Sequence, residues 1–110
     1  RNEVVRLRLR DRNVTLAGID DPDAAGRTRV LQQLESAPGQ DDVRILSAHL
    51  PDTVLLLKPD TRVDLVISGH THGGQMVVPL IGPLLTLTSV PREVAAGGLH
   101  EMSGRRIYVS

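Results

Sequence analysis

The sequence predicts an α/β fold in a single domain, with parallel strands joined by helices. The first observation is the order of the elements, because apolar strand-like runs alternate with helical segments through the middle of the chain. The second is the length of 110 residues, which suits one domain (1–110) with its own core. The third is a pair of short strand-like runs near the end of the chain, which predicts a closing β-hairpin.

The composition excludes several classes of protein. Thirteen basic and thirteen acidic residues cancel, so the charge does not indicate a nucleic-acid or an acidic membrane partner. The chain has no cysteine, which excludes a disulfide framework and a thiolate metal site. It contains no apolar run of about eighteen residues, and no signal peptide is visible. Because the chain begins at Arg1 and stops at Ser110, next to strand-like runs at both ends, we expect a fragment of a longer protein.

Alternating apolar and basic residues open the chain. Val5, Leu7 and Leu9 alternate with arginines, which predicts a half-buried strand whose other face is basic and solvated. We interpret these arginines as a wet sheet face and not as a phosphate site. Residues 11–13 predict a three-residue hairpin turn, and residues 14–18 predict the returning strand.

Two helices are predicted from their start signals. Asp21 fits the N-cap, Pro22 the first helical position and Asp23 the positive end of the helix dipole. This first helix is predicted to run to about Ser36. Pro51 begins a second, short helix, which ends before the next proline.

Two further apolar runs, 43–47 and 63–67, predict strands that follow the first and the second helix. Each resulting βαβ unit is expected to make a right-handed crossover and to place its strands parallel. Beyond them the pattern weakens to a short strand at 76–78 and an irregular apolar loop at 79–91. The closing hairpin is predicted from residues 94–98 and 105–109, around a polar turn.

The loop 69–75, Gly-His-Thr-His-Gly-Gly-Gln, is the strongest indication of a functional site. Because residues i and i+2 of an extended segment point the same way, His70 and His72 are expected to face one pocket. Neutral imidazole is the commonest metal ligand in proteins. Gly73 and Gly74 allow the backbone to turn sharply and to approach a bound group closely.

The predicted topology adds His49 to this pair. The carboxyl ends of parallel strands meet at one edge of a sheet, and open α/β sheets bind ligands there. The three predicted ends carry first Asp20 and Asp21, then His49, then the pair 70 and 72. Because three of the four histidines fall on this edge, we favour a metal site.

Each of these residues also has a plainer interpretation. A single histidine after a strand is more often a surface residue than a ligand, and many His-x-His pairs are ordinary loop residues. Asp20 and Asp21 are explained by helix capping. His100, next to Glu101 in a predicted polar turn, is interpreted as solvated.

Imidazoles combined with oxygen ligands suit manganese, iron(II), zinc, nickel or cobalt. Two such ions about 3.5–4 Å apart hydrolyse phosphoesters, because they clamp phosphoryl oxygens and generate hydroxide near neutral pH. His70 and His72 would each serve one ion of such a pair. Three imidazoles do not fill two coordination shells, and the sequence offers no strong candidate for a bridging carboxylate.

Two segments resemble motifs of the calcineurin-like metallophosphoesterases. Residues 45–52, Ile-Leu-Ser-Ala-His-Leu-Pro-Asp, are similar to the family's Leu-Ser-His-x-Pro-Asp segment. Residues 68–75, Ser-Gly-His-Thr-His-Gly-Gly-Gln, resemble a second family segment. Four other segments resemble one bacterial branch, whose members are often tethered at or exported to the membrane: 16–21, 79–85, 94–97 and 106–110.

The resemblance implies a fold, a ligand set and an activity. The family fold is an α/β/β/α sandwich of two mixed sheets between helical layers, and this chain would supply its C-terminal half. By resemblance, His49 and His70 would bind one metal ion and His72 the other. The implied reaction is hydrolysis of phosphomonoesters or phosphodiesters with manganese, iron or zinc. The compartment would be the cytoplasm, or the membrane or exterior as in that branch.

The family's earlier motifs, Asp-x-His, Gly-Asp-x-x-Asp and Gly-Asn-His-Asp or -Glu, are absent from this chain. In the family they supply the bridging aspartate, an asparagine ligand and the histidine thought to protonate the leaving group. We therefore expect the chain alone to bind at most one metal ion weakly and to be inactive without the N-terminal half. An incomplete half is also expected to self-associate. The alternative is a non-catalytic α/β module that binds one metal ion or none and associates with a partner chain.

Overall fold

The computed structural model describes residues 2–20, 23–36, 43–69, 77–78, 82–83 and 88–110. Six of its eight strands form one sheet in the order β1-β2-β3-β4-β8-β7, and β5 pairs with β6 separately. The elements along the chain are β1 (Glu3–Leu9), β2 (Arg12–Ile19), α1 (Ala24–Glu35), β3 (Val43–Ala48), a 3₁₀ helix (Pro51–Leu56), β4 (Leu65–Ser68), β5 (Val77–Val78), β6 (Gly82–Pro83), α2 (Arg92–Ala95), β7 (Gly98–Met102) and β8 (Arg105–Val109).

The centre of the sheet is parallel, as the strand–helix alternation predicts. β2 pairs with β3, β3 with β4 and β4 with β8, all in the parallel direction. β1 and β7 lie antiparallel at the two edges. The α/β fold with two βαβ units and a closing hairpin is therefore confirmed. No helix within the described ranges is long and apolar enough to cross a membrane.

One face of the sheet forms the core. Ala17, Leu46, Val66 and Ile107 lie next to one another across four strands, and each is 0 % exposed. Helix α1 and the 3₁₀ helix pack on the same face through Leu34 and other aliphatic side chains. We call this the covered face, because the helices exclude water from its aliphatic side chains.

The other face of the sheet is apolar but not covered by the described helices. Eight of its apolar side chains are exposed and three are half-buried. We call it the open face; its apolar residues are Val5, Leu7, Leu9, Val14, Leu16, Val43, Ile45, Leu65, Ile67, Leu99 and Tyr108.

This arrangement corrects the prediction that the first strand is half-buried. Val5, Leu7 and Leu9 are 40 %, 44 % and 59 % exposed, because they point away from the helices. The arginine side of β1 is solvated, as predicted. The hairpin turn is also shorter than predicted: Leu9 pairs with Arg12, which leaves two residues in the turn and not three.

The start of α1 differs from the prediction as well. Asp23 is the N-cap residue, and its Oδ1 accepts a hydrogen bond from the backbone N–H of Gly26 at 2.9 Å. The side-chain amide of Asn2, the residue before β1, donates to the other carboxylate oxygen at 2.9 Å and helps to hold Asp23 in place as the cap. Asp21 and Pro22 lie outside the described residues.

The closing hairpin is confirmed, but its first strand begins later than predicted. Val94 belongs to the short helix α2 and not to a strand, and the turn after the helix contains Gly97 at φ 100°. His100 lies in β7, where it is half-buried and its Nε2 is 2.8 Å from the carbonyl oxygen of Gly97. The interpretation of His100 as a solvated turn residue is therefore wrong.

Candidate metal centre

The carboxyl ends of β2, β3 and β4 lie side by side at one edge of the sheet. Ala48 is the register partner of Ser68 on one side and of the last residue of β2 on the other. The residues that follow the three strands, Asp20, His49 and Gly69, are therefore neighbours along this edge. The sequence predicts this convergence from topology alone, and the strand order confirms it.

A backbone hydrogen bond joins the two predicted ligand segments. The N–H of Gly69 donates to the carbonyl oxygen of His49 at 3.2 Å, which extends the parallel pairing one residue beyond the strands. His70 is the next residue in the chain, so the residue directly before the His-x-His pair lies beside His49. The side chain of His49 is exposed. His70 and His72 themselves lie outside the described residues.

The predicted ligand set as a whole therefore stays a prediction. Across the ranges that the structure describes, no three histidine, aspartate or glutamate side chains are grouped to hold a metal ion. His49 is the one predicted ligand within those ranges. What the structure contributes is its position next to the start of the loop that carries the other two.

Asp20 contributes to the start of α1 through its backbone. Its N–H donates to the side-chain oxygen of Asn2 at 2.8 Å, and its carbonyl oxygen accepts from the N–H of Asp23 at 3.2 Å. This agrees with a role near the helix cap. The structure does not place the carboxylate of Asp20 in a group of three metal-binding side chains within the described ranges.

Asp52 makes a contact that the sequence analysis missed. Its Oδ1 accepts a hydrogen bond from the backbone N–H of Ser89. The segment 49–52 thus contacts both Gly69, the first residue of the histidine loop, and Ser89, near the end of the apolar loop. Sequence alone indicates an aspartate in the first turn of a helix, and only the fold shows that it joins two segments 37 residues apart.

Two buried polar atoms at this edge have no hydrogen-bond partner within the described part of the chain. They are Oδ2 of Asp52 and the hydroxyl oxygen of Ser68, whose residue is 2 % exposed. A buried polar atom without a partner lowers the stability of the fold by about 1–3 kcal/mol. Such atoms therefore mark places where a side chain serves a purpose other than packing. Both belong to the two segments that resemble the family motifs. The donor types at this edge, imidazole and carboxylate, fit a divalent metal ion.

A second group of charged residues lies at the opposite edge of the sheet. It lines a small cavity of about 140 Å³ and includes Glu35, Arg44, Lys58 and Arg62. Its charges are largely paired: Nζ of Lys58 is 2.9 Å from Oε2 of Glu35, and Nε of Arg62 is 3.6 Å from Oδ1 of Asp64. We interpret this group as structural, because the ion pairs close the amino ends of the strands.

No known family profile and no solved structure matches the chain. Several curated proteins do. The chain is 34 % identical to the uncharacterized metallophosphoesterase YkuE of Bacillus subtilis, across 100 % of this chain and 37 % of YkuE. It is 34 % identical to an uncharacterized metallophosphoesterase of Helicobacter pylori, across 99 % of this chain and 28 % of that protein.

A third relative carries a more specific name. The chain is 40 % identical to the phosphodiesterase YaeI of Escherichia coli over 67 aligned residues. The aligned region covers 61 % of this chain and 24 % of YaeI. The chain therefore spans between a quarter and two fifths of the length of these relatives.

Proposed function

Because this chain belongs to the calcineurin-like metallophosphoesterase family, we propose that it is the C-terminal part of a metal-dependent phosphoesterase. The family's names indicate hydrolysis of phosphoester bonds, and one relative is a phosphodiesterase. Phosphomonoesters and phosphodiesters are both within the proposed substrate class. The observation that carries the proposal is the hydrogen bond between Gly69 and His49, which brings the two motif segments together at one sheet edge.

The proposed ligands are His49 and His70 for one metal ion and His72 for the other. The ions, manganese, iron or zinc, would supply positive charge for the phosphoryl oxygens and a hydroxide near neutral pH. The chain's own contribution is to hold its ligands. The parallel pairing of β3 with β4 fixes the backbone of His49 against the start of the loop, and Asp52 anchors the residues that follow it.

The rest of the site is proposed to come from outside this chain. Three imidazoles leave two coordination shells incomplete, and a dinuclear site needs a carboxylate bridge. The relatives have room for these ligands, since more than half of their length lies outside the aligned region. The 110-residue chain is therefore proposed to bind at most one ion and to lack hydrolytic activity alone.

A thermal-shift experiment tests the ligand assignment on the chain itself. We expect zinc to raise the melting temperature, because an ion that binds only the folded state stabilises it. The rise should disappear in His49→Ala and in His70→Ala. His100→Ala is the matched control, because His100 bonds the backbone of Gly97 and should leave the zinc response intact. An equal rise in all variants, or none in the wild type, would count against the assignment.

A test of the proposed hydrolytic activity requires a larger protein than this chain. YkuE aligns across this whole chain, so a chimera can join the remaining part of YkuE to residues 1–110. We expect manganese-dependent hydrolysis of an aryl phosphate by the chimera, and none by the same chimera carrying His70→Ala. A folded, metal-loaded chimera without activity would contradict the enzymatic proposal.

The alternative, a non-catalytic α/β module that associates with a partner, is favoured by one observation, the exposed apolar side chains of the open face. Such a module would bind one metal ion or none. The melting temperature of such a module is expected not to change when zinc is added, so a large rise that disappears in His70→Ala would count against this alternative.

A further inference from the structure

Two aspartates at the starts of helices use their carboxylates differently. Asp23 caps α1, and its two oxygens accept hydrogen bonds from the N–H of Gly26 and from the amide of Asn2. Asp52 lies in the first turn of the 3₁₀ helix, but its Oδ1 accepts from the distant N–H of Ser89. Its Oδ2 is buried and has no hydrogen-bond partner within the described ranges. One carboxylate is therefore fully used by a helix start, and the other has an acceptor to spare.

The contact with Ser89 does not by itself require a carboxylate at position 52. One acceptor oxygen is enough for one N–H, and the side chain of asparagine supplies such an oxygen without a charge. A carboxylate adds a second acceptor and a negative charge, and both lower the stability of the fold when they are buried without a partner. The second oxygen of Asp52 thus points to a purpose other than joining the two segments.

Asp52 is held firmly, close to the candidate metal centre. It follows His49 by three residues, in the segment whose backbone accepts the hydrogen bond from Gly69. Its Oδ1 is fixed by the N–H of Ser89, and the helix that carries it is anchored in the core by Val54, which is 1 % exposed. A side chain fixed in this way is suited to orient a neighbouring group, because its own position is set by packing and hydrogen bonding.

A metal-bound imidazole needs an acceptor of this kind. One ring nitrogen binds the metal, and the other carries an N–H that is almost always donated to a carboxylate, a backbone carbonyl or water. This second hydrogen bond fixes the orientation of the ring and makes the imidazole a stronger ligand.

We propose that Asp52 is a positioning residue of the metal centre, whose Oδ2 accepts the second N–H of a metal-bound imidazole. Its negative charge also stabilises the cation that the imidazole holds. This inference rests on the proposed ligand set and adds to it a residue that acts through a ligand without touching the metal.

The test is the zinc affinity of the 110-residue chain, measured by competition with a colour-forming chelator, with circular dichroism to verify folding. Asp52→Asn keeps an oxygen for the N–H of Ser89 but removes the charge and the second acceptor. We expect this variant to bind zinc roughly 10- to 100-fold more weakly, with a stability close to that of the wild type. The matched control is Asp60→Asn, which should leave the zinc affinity unchanged, because Asp60 is exposed and lies at the opposite edge of the sheet.

A second variant, Asp52→Glu, separates positioning from a purely structural role and keeps the test decisive if the asparagine variant fails to fold. It retains the carboxylate but adds a methylene group to a half-buried side chain. We therefore expect it to be less stable than Asp52→Asn and yet to bind zinc more tightly. Zinc affinities that follow the order of stability would overturn the proposal.

The outcomes also distinguish this inference from the proposed function. If His70→Ala abolishes zinc binding while Asp52→Asn binds like the wild type, the role of Asp52 is wrong and the ligand assignment stands. If the wild type does not bind zinc, or His70→Ala binds it equally well, both are wrong. A loss in Asp52→Asn as complete as in His70→Ala would make Asp52 a ligand and would overturn its role as a positioning residue.

Discussion

The two faces of the same sheet have similar side chains but different surroundings. Leu46 and Val66 on the covered face are 0 % exposed, whereas Leu16 and Ile67 on the open face are 38 % and 37 % exposed. Four of the six residues in each of the runs 43–48 and 63–68 are apolar, and they fall on both faces of the strand, as is typical of strands that are buried on both faces. The comparison indicates that the sequence suits two covered faces, while the described helices cover one.

The largest expected effect separates these two faces. Leu46→Ala should lower the free energy of unfolding by about 2–5 kcal/mol, because it leaves a cavity in a packed core. Leu16→Ala, on the neighbouring strand but on the open face, should lower it by less than about 1 kcal/mol. Urea unfolding of the two variants measures both losses in the free energy of unfolding. Equal losses would show that the open face is packed in the isolated chain.

The next largest effect on the free energy of unfolding is expected for a buried arginine, compared with an exposed one. Arg105 is 6 % exposed, and its guanidinium donates hydrogen bonds to the carbonyl oxygens of Lys58, Thr61 and Ser103. Arg105→Ala leaves these acceptors unpaired and should lower the free energy of unfolding by about 2–4 kcal/mol. Arg62→Ala removes a 3.6 Å surface ion pair and should cost less than about 1 kcal/mol. Chemical denaturation of both variants measures the two losses, and a larger loss in Arg62→Ala than in Arg105→Ala would contradict this prediction.

A smaller effect is expected at the carboxyl edge of the sheet. Asp52→Ala removes the acceptor for the N–H of Ser89 and should lower the free energy of unfolding by about 1 kcal/mol. Asp52→Asn keeps an oxygen in place and should recover most of this loss. Urea denaturation of the two variants distinguishes them. An alanine variant as stable as the wild type would mean that the contact does not hold the two segments together.

The smallest expected effect is a dependence of the protein's stability on pH, caused by the N-cap residue of α1. The N–H of Gly26 and the amide of Asn2 donate to the carboxylate of Asp23 and lower its pKa below the usual 3.8. The ionised group therefore stabilises the fold fully above pH 3.8, and this contribution is lost as the pH falls through the lowered pKa. Melting temperatures across this range should fall less in Asp23→Asn than in the wild type. An equal fall of the melting temperature in both proteins would contradict the role of the ionised Asp23 at the helix cap.

Much of the fold was predictable because local signals and global topology agree. Apolar runs, prolines and aspartates mark the strands and the starts of the helices, and the βαβ rule then makes the central strands parallel. The hydrophobic alternation of β1 separates its two sides correctly. It does not tell which side the helices cover, since Val5 and Leu7 are as apolar as many core residues.

The errors occur where distant residues decide local structure. The sequence predicts Asp21 as the N-cap, but Asp23 is the N-cap residue, and Asn2, 21 residues before Asp23, contacts its carboxylate. The sequence predicts a strand that begins at Val94, but the fold places Val94 and Ala95 in a helical turn next to the core.

For the candidate site, topology predicted that His49 lies beside Gly69, and this is observed. The contact of Asp52 with Ser89 was not predictable, because no local pattern relates residues 37 positions apart. His70 and His72 lie outside the described residues, so their role as ligands stays a prediction from the motif and the chain order.

The most direct test of the central claim is the number of metal ions per chain, measured by elemental analysis after loading with manganese or zinc and desalting. The comparison is between the 110-residue chain and the chimera that adds the rest of YkuE. The account predicts at most one ion for the chain and two for the chimera, with loss of bound metal in His70→Ala. Two ions on the chain alone would show that the site is already complete, and a folded chimera without metal would show that these histidines are not its ligands.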